Sequence, residues 1–257
     1  MSFEIKNESL SSGENPQAPP IRADSDESFL AEVRLRTEIE DALQGRERPL
    51  GADRNVLLPL CRAIDFWLAE DNLSKIRDLG LLKLAQEVKK DYVLASFLAW
   101  RAEYKLSYIA LRSFLESFCL LLYYLNQGCD RTLYLKGKGY KLMLHRMVQK
   151  RDPEDTHAFR RHYHLLISDS SSDAKMADKF FDEINTCYSL LSKAVHGDYS
   201  PKPDETLESS FLELLHRCLR ICNTLALHEP ALDATEDELE KVLESVLKPI
   251  IFEPASR

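Results

Sequence analysis

The end of one predicted helix carries side chains that could do acid–base chemistry. Tyr188, Ser192 and His196 follow one another at intervals of four residues, so on a helix they share one face. Gly197 comes next, and glycine is the residue that most often ends a helix. The helix dipole favours a cationic histidine at such an end, and imidazole exchanges protons near neutral pH. The pattern indicates either a general acid or base, or core residues that hydrogen-bond to neighbouring helices.

A second candidate group lies on an earlier, long predicted helix. Arg112 and Glu116 are four residues apart, which suits a plain ion pair within the helix. The same spacing would also let the carboxylate orient the guanidinium through a charge-assisted bond.

These two stretches resemble the HEPN superfamily of helical proteins and the related abortive-infection proteins, many of which are ribonuclease toxins of prokaryotic defence systems. The similarity spans residues 91–200. The matching residues are Tyr188, Leu191-Ser192 and Val195-His196-Gly197 on the late helix, and Leu111-Arg112-Ser113-Phe114-Leu115-Glu116 on the long helix. The chain departs from the family at Leu191, where the catalytic pattern has an arginine five residues before the histidine.

The resemblance implies a metal-independent endoribonuclease in which a cation, Arg112 or Lys193, stabilises the negative charge that develops on the phosphate. No cofactor is expected. His196 would act as general base or acid on the ribose 2′-hydroxyl, and family members pair two protomers, which implies a homodimer. The alternative is a non-catalytic helical subunit that assembles with a nuclease, an ATPase or an antitoxin, and the leucine at position 191 favours it. The candidate catalytic residues are His196, Arg112, Lys193, Ser192, Tyr188 and Glu116.

A basic segment in the middle of the chain could bind RNA. Residues 131–151 contain seven Lys or Arg and no Asp or Glu, although the whole chain has a formal net charge of −8. Lys and Arg beside aromatic rings can contact phosphates and stack on unpaired bases. A solvated helix face, or a site for an acidic protein partner, would have the same composition. The candidate nucleic-acid contacts are Arg131, Lys136, Lys138, Lys141, Arg146, Lys150, Arg151, Arg160 and Arg161.

The cysteines and histidines predict no metal site. Cys218 and Cys222 are four residues apart with His216 nearby, but no second pair follows at ligand spacing. The histidines within residues 157–164 lack a carboxylate or cysteine partner at a recognisable interval. Six scattered cysteines, mostly in apolar helical stretches, are typical of reduced thiols in the cytoplasm.

The elements that must position these groups are all predicted to be helices. Apolar residues recur at intervals of three and four, and the 257 residues include only 8 glycines, so a large sheet is not expected. The longest apolar run, residues 118–125, is far shorter than the roughly 20 residues that cross a membrane. The sequence therefore predicts an all-α helical bundle, with no membrane contact, built around one long central helix from Asp91 to about Asn126.

Capping and helix-breaking residues give the predicted boundaries. Residues 1–24 are predicted to be a disordered tail, 25–90 an N-terminal helical segment, 91–200 the HEPN-like core, and 201–257 C-terminal helices that close the bundle. An acidic stretch at 229–244 leads into an apolar stripe, so its helix could close the bundle, shield the basic segment of another copy or dock a partner. Helices are expected at about 25–45, 55–70, 79–89, 91–126, 140–150, 154–167, 173–196, 205–228 and 235–247, with a loop over 131–139.

Overall fold

A computed structural model describes residues 67–138, 143–149, 157–170, 175–197 and 206–232. Within these ranges the chain forms eight helices and no strand, which confirms the all-α prediction. The predicted tail, the helices before residue 67 and the helix after residue 232 lie outside the described residues. The helices are α1 (Glu70–Asp78), α2 (Leu82–Trp100), α3 (Tyr104–Asn126), α4 (Gly128–Leu135), α5 (Leu144–Val148), α6 (Ala158–Ser170), α7 (Met176–His196) and α8 (Leu207–Leu227).

Helix α3 is the centre of the bundle, with α2, α7 and α8 packed around it. The rings of Phe114 and Phe118 on α3 are fully buried. Phe114 lies 5.0 Å from Tyr92 of α2, and Phe118 lies 5.2 Å from Trp67, between ring centroids. Burying an aromatic side chain of this size contributes roughly 1.5–3 kcal/mol. The apolar side chains of α3 therefore form the centre of the core.

Among the described helices, α3 alone is long and apolar enough to cross a membrane by length and composition. More than half of its most apolar stretch is buried inside the protein. The core helix of a folded bundle has the same length and composition, and the packing of α2, α7 and α8 around α3 accounts for its apolar sequence.

The prediction of one long helix from Asp91 to about Asn126 is wrong, because two antiparallel helices occupy this region. Helix α2 already starts at Leu82 and ends at Trp100, and α3 starts only at Tyr104. Asp91 accepts a hydrogen bond of 2.5 Å from the Ser113 hydroxyl, so the two helices lie side by side. A single straight helix would leave the apolar faces of both halves exposed, whereas the hairpin buries them against each other.

The turn between α2 and α3 is a Schellman motif built without glycine. The Ala102 N–H donates to the Ala99 carbonyl at 3.0 Å, and the Glu103 N–H donates to the Leu98 carbonyl at 2.8 Å. These two bonds form at the end of a helix when the residue that follows the C-cap is left-handed. Ala102 takes that conformation, with a φ of 59°.

Replacing Ala102 by glycine should stabilise the protein. A side chain with a Cβ pays roughly 1–2 kcal/mol in the left-handed region, and glycine's larger unfolded-state entropy offsets part of that gain. We expect Ala102→Gly to raise the free energy of unfolding by about 0.5–1 kcal/mol, measured by urea denaturation. Ala110→Gly inside α3 is the matched control and should lower it by about 1 kcal/mol. A loss of stability in both variants would contradict a strained left-handed conformation at Ala102.

Three other predicted boundaries are corrected. The helix predicted over 55–70 does not extend to Glu70, because residues 67–69 are not helical and Glu70 begins α1. The predicted start at residue 79 is wrong, because α1 ends there in a turn with Gly80 at a φ of 75°. The predicted loop over 131–139 is wrong up to Leu135, because α4 folds back on α3, where Tyr134 stacks on Tyr124 at 4.7 Å between ring centroids.

The later helices follow the sequence prediction closely. The described parts of the stretches predicted at 140–150, 154–167, 173–196 and 205–228 contain α5, α6, α7 and α8. Helix α6 continues three residues beyond the predicted end, to Ser170. Helix α7 ends at His196 as predicted, and Gly197 supplies the left-handed cap with a φ of 84°.

Candidate functional site

Helices α3 and α7 bring three of the six candidate catalytic residues together. The Tyr188 hydroxyl accepts a hydrogen bond from Arg112 Nη2 at 2.7 Å and donates one to Glu116 Oε1 at 2.5 Å. The Arg112 guanidinium also pairs with Glu116 at 3.4 Å and lies over the Tyr188 ring, 4.9 Å from its centroid. Arg112, Glu116 and Tyr188 are called the Arg112 cluster below.

The Arg112 cluster lies at the protein surface, and its guanidinium is partly shielded from water. The side chains of Arg112 and Glu116 are 23% and 32% exposed, so water and an anionic ligand can reach both. Burial and the hydrogen bond to Glu116 raise the pKa of Tyr188, and Arg112 opposes part of that rise. The phenol therefore keeps its proton and links the two charged groups. Because Glu116 already neutralises Arg112, a phosphate would have to share the guanidinium with that carboxylate.

His196 lies further along α7 and is exposed. Eight residues separate it from Tyr188, which is about 12 Å along a helix axis. The hydrogen bonds of Arg112 go to Tyr188 and Glu116, and within the described ranges none joins Arg112 or Lys193 to His196. His196 thus shares α7 with Tyr188 of the Arg112 cluster, without a direct contact between the histidine and Arg112.

The other two candidates on α7 have different surroundings. Ser192 donates its hydroxyl proton to the Tyr188 carbonyl at 2.8 Å, inside the helix. Lys193 is exposed, three residues before His196. Ser192 is therefore engaged by the backbone, whereas Lys193 is open to solvent beside the histidine.

Leu191, which stands where the resemblance would place an arginine, belongs to the core. Its side chain is fully buried on the inner face of α7. A charge at that position would lose its hydration without a described carboxylate to replace it, which is strongly unfavourable. The packing of this bundle therefore requires an apolar residue there, and a cation reaches the α7 surface from α3, as Arg112.

The basic segment is divided between packing and surface roles. Arg131 donates to the carbonyls of Tyr124 and Leu125 at 3.1 and 3.3 Å, so it caps the end of α3. Four other candidate contacts are exposed: Lys136, Lys138, Arg146 and Arg161. Three lie outside the described residues: Lys141, Lys150 and Arg151.

Arg160 contradicts its prediction as a nucleic-acid contact. Only 3% of its side chain is exposed. Its guanidinium donates to the Val148 carbonyl at 2.5 Å and to Asp178 Oδ1 at 2.8 Å, and it lies 4.5 Å from the Phe181 ring centroid. These contacts join α5, α6 and α7, so Arg160 holds the bundle together and does not face solvent.

Four of the cysteines that the sequence places in apolar helical stretches form a group of buried thiols. Cys119 of α3, Cys187 of α7, and Cys218 and Cys222 of α8 are all fully buried, and the sulfurs of Cys187 and Cys218 are 3.6 Å apart. Burial raises the pKa of Cys119, Cys218 and Cys222, so these thiols stay protonated and packed. Across the described ranges, no three His, Cys, Asp or Glu side chains are arranged to hold a metal ion.

His216 on α8 gives the protein a testable acid sensitivity. Burial and the charges of Arg220 and Arg217 lower the pKa of His216 to about 4, and its Nε2 accepts a hydrogen bond from Arg220 at 3.0 Å. A histidine in the unfolded chain titrates near 6.5. Because the folded-state pKa is the lower one, the stability that neutral His216 contributes is complete above about pH 6.5 and is lost as the pH falls towards 4.

We expect His216→Gln, which keeps an acceptor for Arg220, to reduce this acid sensitivity. The difference in unfolding free energy between pH 7 and pH 4.5 should shrink by about 1–2 kcal/mol. The effect is limited to this size because solvent screens the partly exposed ring. Urea denaturation of both proteins at the two pH values measures it. Equal losses in wild type and variant would contradict the prediction.

No protein-family model, curated protein sequence or solved structure matches this chain. The resemblance to the HEPN superfamily therefore rests on the residues of α3 and α7 alone, and the family assignment stays a prediction.

Proposed function

We propose that this chain is an RNA-targeting helical protein of a prokaryotic defence or toxin module, and that it cleaves RNA at the carboxyl end of α7 without a metal ion. The observation that supports the proposal is the position of His196. The imidazole is exposed at the end of α7, beside a left-handed Gly197, on the helix face that also carries Tyr188.

In this proposal His196 exchanges the protons of the reaction. A neutral imidazole takes the proton of a ribose 2′-hydroxyl, and the 2′-oxygen then attacks the adjacent phosphorus. The bond to the 5′-oxygen breaks, and that oxygen takes up a proton. The products are a 2′,3′-cyclic phosphate and a 5′-hydroxyl end.

The two cations would act at different phosphates. Lys193 is exposed three residues before His196 and would stabilise the charge on the scissile phosphate. The Arg112 cluster is about 12 Å away along α7, so its guanidinium would hold a neighbouring phosphate. A homodimer, which the resemblance implies, would bring a second copy of both cations to the same RNA.

The test is cleavage of total RNA and of transfer RNA by the purified protein and by His196→Ala, in the presence of EDTA. We expect wild type to leave 2′,3′-cyclic phosphate ends, and the variant to be slower by about 100-fold or more. His145→Ala, a histidine of α5, is the matched control and should cleave normally. Cleavage by His196→Ala at the wild-type rate would overturn the proposal.

A second candidate function is a non-catalytic helical subunit that assembles with a nuclease, an ATPase or an antitoxin. Two observations favour it: Glu116 neutralises Arg112, and Leu191 occupies the core where the family pattern has its arginine. RNA left intact by the folded wild-type protein, verified by circular dichroism, would support this candidate over the first.

A further inference from the structure

Helix α4 and the neighbouring part of α6 present an exposed surface that is both basic and apolar. Leu133 and Leu135 of α4 are 39% and 50% exposed. Lys136 and Lys138 follow at the end of that helix, and Arg161 of α6 is also exposed. We call these five residues the α4 surface. The single carboxylate of α4, Asp130, accepts a hydrogen bond from Tyr123 and is thus already engaged.

The α4 surface is firmly held in place. Arg131 donates to two carbonyls at the end of α3, and Tyr134 stacks on Tyr124. At the other end of the helix, Leu135 packs against Gly80, where an added Cβ would lie 3.2 Å from a leucine methyl group. A partner would therefore meet a preformed surface, which lowers the entropic cost of binding.

The last described residues are joined to the end of α3, close to the start of α4. Glu229, just beyond α8, is 2% exposed and accepts a hydrogen bond of 2.6 Å from Asn126, the last residue of α3. Asn126 lies two residues before the start of α4. Glu229 also accepts a hydrogen bond from Tyr163 of α6. The chain is therefore held at the end of α3 three residues before the buried Leu232.

The sequence that follows has the complementary composition. Residues 233–247 hold six carboxylates and one lysine, together with leucines and valines at helical spacing. Four residues from Leu232 to Glu236 span at most about 14 Å, and the eight residues of α4 are about 12 Å long. The acidic segment is therefore within reach of Lys136 and Lys138.

We infer that residues 233–247 dock on the α4 surface of the same chain. Their carboxylates pair with Lys136, Lys138 and Arg161, and their apolar side chains cover Leu133 and Leu135. An internal acidic segment would then compete with RNA or any other polyanion for this surface. The docking itself does not depend on the proposed ribonuclease activity.

Carbodiimide cross-linking of the full chain tests the contact directly, because this reagent joins only carboxylates and amines already in contact. At low salt we expect amide links between residues 233–244 and Lys136 or Lys138 in the monomeric protein, fewer as salt screens the pairs. Lys83, Lys105 and Lys193, on other helices, are the comparison. Links spread evenly over all these lysines, or found only between two chains, would overturn the inference.

Hydrogen exchange provides a second measurement that involves no RNA. A full-length variant with Glu236→Gln, Asp237→Asn, Glu238→Gln and Glu240→Gln should release the segment and speed exchange in residues 128–138 by about threefold or more. Asp182→Asn, an exposed carboxylate on α7, should leave that exchange unchanged. Unchanged exchange in the four-residue variant would contradict the docking whatever the protein does to RNA.

Discussion

Arg160→Met should lower the free energy of unfolding by about 3 kcal/mol, because the substitution removes a buried charged donor from two acceptors. Arg160 donates to the carbonyl of Val148, the last residue of α5, and to Asp178 in the first turn of α7. Methionine fills most of the volume but makes neither bond. Asp178 is 36% exposed, so water recovers part of its loss, whereas the Val148 carbonyl lies beside fully buried side chains. Urea denaturation measures the change.

Arg161→Met is the matched control, since it removes the same charge one residue further along α6. Arg161 is exposed, so its replacement should change the free energy of unfolding by about 0.5 kcal/mol or less. Arg160→Lys keeps the charge but cannot make both bonds at once, and should fall between the two. Equal effects of the substitutions at 160 and 161 would show that the buried guanidinium does not hold the three helices together.

The sequence contains the information that Arg160 is buried and Arg161 is exposed, but the composition of the segment does not reveal it. The two arginines are adjacent in the sequence, and counting charges treats them alike. Their helical phase differs: Arg160 shares a face with Tyr163 and Ile167, at intervals of three and four, and both of those residues are buried. The position of Arg160 in the helical repeat, on the face of the buried apolar residues, therefore predicts that it lies in the core.

The helices themselves could be predicted where local chemistry sets them. Gly197 ends α7 because glycine takes the left-handed conformation without strain. The turn at residues 101–103 could not be predicted, since it contains neither glycine nor proline. There the burial of two apolar helix faces outweighs the strain at Ala102, and that gain depends on tertiary packing.

The candidate site was predictable only in part for the same reason. The spacing of Arg112 and Glu116 indicated a pair within one helix, and that pair is present. The contact with Tyr188 depends on how α3 and α7 align, 76 residues apart in the chain. No local pattern encodes that alignment, so the sequence placed these residues in one site through a family resemblance and not through geometry.

Glu229→Ala should lower the free energy of unfolding by about 2–4 kcal/mol. From composition, Glu229 is the first residue of an acidic tail, but it is buried and accepts bonds from Tyr163, Asn126 and the Ala231 N–H. Alanine removes this acceptor from the Tyr163 hydroxyl and the Ala231 N–H, and Asn126 keeps only its bond to the Leu122 carbonyl. Burial and the Glu229 carboxylate both raise the pKa of Tyr163, so the phenol stays protonated and keeps the need for a partner. Urea denaturation again measures the loss.

A double-mutant cycle with Tyr163→Phe separates the hydrogen-bond network from simple packing. If Glu229 acts through the Tyr163 hydroxyl, the two substitutions together should cost less than the sum of the single losses, by about 1 kcal/mol or more. Glu229→Gln keeps an acceptor for Asn126 and should lose less stability than Glu229→Ala. Strictly additive losses would contradict the network.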